Sequence, residues 1–151
     1  MFLGTLVRVA EFGEGLLDSE ARAALEGALK YFREAAPKHT ADEEESLFPR
    51  LRQMHNPEIE AAIDTLDPLE HEHRRADLLH AEVDRLGRLW LRGGTLSGSE
   101  AQTFRQHVAE LASIYKEHIR IEDEVVFPVA GRLLSATDKA AIAGEMAARR
   151  K

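Results

Sequence analysis

The chain has no cysteine, which excludes disulfides, thiolate metal sites and thiol catalysis. It also has no apolar run long enough to span a bilayer, and no charged leader followed by an apolar stretch. The expectation is therefore a soluble, cytoplasmic protein without a membrane partner. Positive charge is in deficit, with 20 Lys and Arg against 27 Asp and Glu. Nucleic acid as a partner is disfavoured on that ground, because it requires a basic stripe. Aromatics are few and β-branched runs are missing, so little in the chain favours strands.

What remains is rich in alanine, leucine, glutamate and arginine, a composition that favours helix throughout. At 151 residues the chain has the size of one domain, spanning 1–151, with enough length to bury a core. Breakers divide it. Gly13 and Gly15 end a short first helix. Asp18 or Ser19 caps a second that runs toward Met54, with a kink or break at Pro37. Asn56-Pro57 forms a turn, and a third helix follows from about residue 58 to 91, with Asp67-Pro68 as a candidate interruption. A glycine-rich loop over 92–99 leads to a fourth helix, bent near Pro128 and ending near Leu134. Ser135 or Thr137 then caps a short last helix closing on Arg149-Arg150-Lys151. Those cations suit a helix C-terminus, and an acidic partner is their other use. The predicted fold is all-α: an up-down four-helix bundle with a short first helix and a short extra C-terminal helix.

One segment occurs twice. Residues 39–49 read HTADEEESLFP and residues 118–128 read HIRIEDEVVFP. Each is His-x3-Glu, an acidic pair, two more residues, then Phe-Pro. Four residues apart on a helix share a face, so each copy aims one imidazole and one carboxylate the same way. These are ligand types that a borderline transition metal accepts. The repeat extends upstream at a constant offset. Phe104, Val108, Leu111, Tyr115, His118 and Glu122 step by four and three, and Leu25, Leu29, Phe32, Ala36, His39 and Glu43 match them. Such steps trace a core-facing stripe, so both motifs face the bundle interior. There, charged groups are paired or bound to metal.

The third helix carries its own stripe of Leu69, His73, Ala76, His80, Val83, Gly87 and Trp90. In an antiparallel hairpin, residues equally distant from the turn lie level. His39 and His73 are equidistant from Asn56, and His73 and Lys116–His118 from Thr95. The predicted metal ligands are thus His39, Glu43, His73, His118 and Glu122. His80 reads as a packed, hydrogen-bonded histidine with His107 near its level, while His55 and His71 read as solvent groups. Asp42, Glu44, Glu45, Asp123 and Glu124 read as a solvated acidic face or as partners that orient the imidazoles. Phe48 and Phe127 are expected to pack beneath the site, and the prolines to end or bend the helix.

On these residues the chain resembles the hemerythrin-like, HHE-type cation-binding family. The resemblance implies an up-down four-helix bundle holding a non-haem di-iron site. His39, His73 and His118 would be terminal ligands, and Glu43 and Glu122 would bridge the metals. The family's first-helix histidine has no counterpart among residues 1–12, whose sole carboxylate is Glu11. An N-terminal extension, Asp77 or His80 could supply the missing donor, or the site could hold one metal or none. The implied cofactor is iron as a pair, with a single metal, manganese or zinc as alternatives. The implied partner is a small gas, dioxygen or nitric oxide, with a homodimer as a further expectation. Three imidazoles to two carboxylates favour a carrier, store or redox sensor over an enzyme. The alternatives are a di-iron oxidase, peroxidase or iron-repair protein, and a metal-free helical interaction module.

Overall fold

The computed structural model describes residues 2–11 and 15–151, with the side chains of 2, 3, 62, 63, 66, 67, 69 and 70 outside the description. The glycine break at Gly13 and the apolar position Leu69 therefore fall outside it. The fold is an all-α helical bundle, with no strand among the described residues. Its elements are α1 (Phe2–Ala10), α2 (Ser19–Glu34), α3 (Ala36–Ala41), a first π turn (Asp42–Leu47), α4 (Phe48–Gln53), α5 (Pro57–Gly93), α6 (Gly98–Ile121), a second π turn (Glu122–Val126), α7 (Phe127–Leu133) and α8 (Ala136–Arg149). The chain forms two compact units, one from Met1–Ala35 with Arg74–Tyr115 and one from Ala36–His73 with Lys116–Lys151.

The first unit is built on the stripes seen in the sequence. Leu25, Leu29, Val83, Leu86, Trp90, Phe104, Val108 and Leu111 are buried together with Leu6 of α1. Full burial of each large apolar side chain is worth about 1.5–3 kcal/mol against leaving it exposed. Asp18 is the residue that caps α2, accepting from the Ala21 N–H at 2.7 Å. Trp90 packs edge-on against Phe104 and donates its indole N–H to the Gly15 carbonyl at 3.2 Å, so this large side chain leaves no orphan donor. Gly87 admits Leu29 so closely that a Cβ there would stand 2.7 Å from a Leu29 methyl. Gly94 ends α5 in the left-handed region, φ 79°, as a glycine after a helix does.

The second unit buries Phe48, Leu51, Ile59, Val126, Val129 and Ala130. Ser135, rather than Thr137, caps α8 by accepting from the Asp138 N–H at 3.0 Å. Two open readings are narrowed. α5 runs unbroken through Pro68, so the roughly 3 kcal/mol cost of an internal proline is outweighed by the helix's buried side chains. The Phe-Pro pairs do not end the helices either. Proline lacks an N–H and its ring clashes with the carbonyl four residues back, which a turn widened by one residue relieves. In both copies this is what happens. The Phe48 N–H pairs with the Glu43 carbonyl, and the Phe127 N–H with the Glu122 carbonyl, each five residues back. The duplicated Phe-Pro writes a duplicated π turn, and each turn carries the glutamate of its motif.

Candidate metal centre

Three segments of the second unit bring donor atoms together. Glu43 comes from the first π turn, His73 from α5 and His118 from the last turn of α6. His73 Nε2 lies 3.1 Å from His118 Nε2. Glu43 Oε2 lies 4.0 Å from the first of these nitrogens and 3.8 Å from the second. A point in the plane of these three atoms is about 2.1 Å from every one of them, the bond length at which imidazole nitrogen and carboxylate oxygen hold a divalent transition metal. The donor set fits a cation. Glu122 adjoins it, with Oε1 2.6 Å from His118 Nε2.

The surroundings tune these groups. His118 and Glu122 are buried, 4% and 6% exposed, although both carry charge. Burial alone would lower the His118 pKa, but Glu122 and Glu43 outweigh it and lift the imidazole to about 9. Burial pushes the Glu43 carboxyl up to about 7, helped by the neighbouring Glu122. Burial would also raise Glu122, yet the hydrogen bonds from His118 and Glu43 bring it below its ordinary value. Protons thus gather where a cation would neutralise the same carboxylates. Glu44 supplies orientation: its carboxylate accepts from His73 Nδ1–H at 2.6 Å, which leaves Nε2 with its lone pair turned inward.

Of the five ligands read from the sequence, Glu43, His73, His118 and Glu122 come together and His39 does not. The His39 side chain is 68% exposed and its closest charged neighbour is Asp42, at 3.8 Å. The reason lies upstream. Pro37 interrupts the α ladder, α2 closes at Glu34, and α3 starts afresh as a six-residue helix that buries none of its side chains. The stripe of α2 is therefore not carried through to His39. In the second copy α6 is continuous from Gly98 to Ile121, and its stripe delivers His118 inward.

The remaining residues divide cleanly. His80, in the first unit, bonds Tyr115 Oη at 2.8 Å and packs tilted against the Phe32 ring, centroids 4.7 Å apart, so its partner is Tyr115 rather than His107. Asp77, His55, His71, Asp123 and Glu124 are exposed. Phe48 is fully buried, whereas Phe127 is 40% exposed and packs no core. Sequence reasoning did not pick out the partners of Asp42. That buried carboxylate is bound by Arg149 and Arg150, the same basic end for which an acidic partner is the second reading. Comparing the two copies position by position carries the signal: Asp42 and Ser46 stand where the second copy has Ile121 and Val125.

A helical fold with imidazoles and carboxylates gathered around one point defines a class, the all-α proteins with a His/Glu group able to hold a metal cation. The Hemerythrin HHE cation binding domain matches residues 4–130, and the chain belongs to the hemerythrin family. No curated protein and no solved structure matches the chain.

Proposed function

We propose that the chain, acting as a single domain over 1–151, binds non-haem iron through Glu43, His73, His118 and Glu122. Through that iron it would take up a small ligand such as dioxygen or nitric oxide, as a carrier, store or redox sensor. The observation that carries this reading is the common point about 2.1 Å from Glu43 Oε2, His73 Nε2 and His118 Nε2. Two imidazoles with two carboxylates suit iron, and manganese or zinc are the competing occupants. The converging donors support one ion. The second iron implied by the resemblance would need further donors, and His39 faces solvent.

The chain's own groups have defined tasks in this reading. Glu44 fixes the tautomer of His73, Glu43 and Glu122 balance cationic charge, and the burial of His118 and Glu122 keeps bulk water from those ligands. Bound iron would supply an open coordination position for the small ligand. Anaerobic loading with ferrous iron, followed by metal counting and visible spectra before and after air or nitric oxide, tests the proposal. One iron per chain and a ligand-dependent band that reverses on degassing are expected. Failure to retain any metal would overturn the proposal, and multiple turnovers of dioxygen or peroxide would turn it toward the oxidase alternative.

A further inference from the structure

Outside the residues matched by the family lies α8, and its last turn reaches back to the first π turn. Arg149 Nη1 donates to Asp42 Oδ1 at 3.0 Å, while Arg150 grips both oxygens of the same carboxylate at 3.1 and 2.6 Å. Arg149 Nη2 also donates to Ser46 Oγ at 2.7 Å, and that hydroxyl donates to Glu145 Oε1 at 2.7 Å. Arg50 completes the brace by forking onto Glu145 at 2.9 and 2.7 Å and capping the Ser46 carbonyl at 3.0 Å. Asp42 and Ser46 are 4% and 0% exposed, so these contacts are made away from bulk water.

We infer that Arg149 and Arg150 are positioning residues for the cation centre: by clamping Asp42 and Ser46, the C-terminal helix fixes the π turn that aims Glu43 and Glu44. The argument rests on where the clamp bites. Asp42 immediately precedes Glu43, and Ser46 lies within the same turn. A π turn is rare, occurs mostly as a single bulge within an α-helix, and is frequent at functional sites. In the second copy the matching positions are Ile121 and Val125, so nothing there asks for a guanidinium. Polar residues placed at one copy's buried positions, facing two arginines, mark a specific socket rather than general packing. A planar fork fits a carboxylate in a way lysine does not. This inference rests on the metal reading above, and it adds a device that the duplicated motif lacks.

The test uses the full chain with Co²⁺ as the probe. Wild type, R149A/R150A and R149K/R150K are compared by Co²⁺ titration, by the visible Co²⁺ spectrum, and by amide hydrogen exchange of the metal-free protein. The alanine pair should weaken Co²⁺ binding about ten- to a hundredfold, alter the visible band, and speed exchange at the amides of residues 43–48. Phe127, in the second copy, should exchange as before. The lysine pair keeps the charge opposite buried Asp42, so it should melt like wild type and still bind Co²⁺ more weakly. It carries the test should the alanine pair not fold. Wild-type affinity, spectrum and exchange in the folded lysine pair would overturn the inference and leave the metal reading intact. No Co²⁺ uptake by wild type would overturn the metal reading and this inference with it.

Discussion

His73 and His118, 45 residues apart in sequence, meet with their Nε2 atoms 3.1 Å apart and their rings stacked at 4.5 Å. Two ring nitrogens at that separation either share a proton or share a cation. With Glu43 completing the triangle, the same geometry accommodates both.

Removing either imidazole should therefore abolish tight metal binding without unfolding the helices. Loss of an outer-shell partner costs about ten- to a hundredfold in metal affinity, so His73→Ala or His118→Ala should each cost more than about a hundredfold. Circular dichroism should stay close to wild type. His71→Ala, on the exposed face of α5, should change neither reading.

Glu44 and Asp123 occupy equivalent places in the two copies, but only Glu44 reaches an imidazole, at 2.6 Å from His73 Nδ1. Glu44→Gln should weaken Co²⁺ binding by about tenfold or more, and Asp123→Asn should leave it unchanged. Equal losses in the two titrations would mean that the acidic pair acts only through bulk charge.

The two π turns should depend on their prolines. Pro49→Ala and Pro128→Ala each restore an N–H that can close an α turn, which would rotate the helix upstream of it relative to the helix downstream. Helix content should hold or rise while Co²⁺ affinity falls by about tenfold or more, as for loss of an orienting partner. A variant that bound Co²⁺ as wild type does would show that the turns are set by other contacts.

His80 makes stability depend on pH. Its burial lowers the imidazole pKa below 6.5, against a smaller opposing pull from Asp77. The folded state thus favours the neutral ring, so its contribution is complete above about pH 6.5 and is lost as pH falls through the lowered value. The raised Glu43 and His118 act in the opposite sense between pH 7 and 5 and are common to wild type and His80→Gln, so the His80 contribution is read by difference. His80→Gln, which retains a hydrogen-bonding group for Tyr115, should gain melting temperature relative to wild type as pH falls from 7 to 5. Parallel melting curves for the two proteins across this range would contradict the assignment.

The first unit was legible from the sequence because its stripes are uninterrupted. Leu25, Leu29, Val108 and Leu111 step at helical spacing along continuous helices, and all are buried. The same rule carried His118 inward along α6 and failed for His39, because spacing describes a face only while the helix keeps its phase. Pro37 breaks that phase five residues before the first motif's glutamate-bearing turn begins at Asp42. Phe127 is exposed although Phe48, after the equivalent π turn, is fully buried, so the local pattern they share does not set the burial of either.

The sequence by itself determined that the chain is helical, that two His-x3-Glu segments share a design, and that His73 belongs at their level. Periodicity, breakers and counting from turns are local properties, and they need no contact between distant parts. Tertiary structure alone decided which of the paired groups meet. It turned His39 outward, set Glu44 against His73, and brought Arg149 and Arg150 onto Asp42. Those outcomes depend on the rotation of each helix about its axis and on which buried charge finds an opposite one, and neither is written in the spacing of residues along the chain.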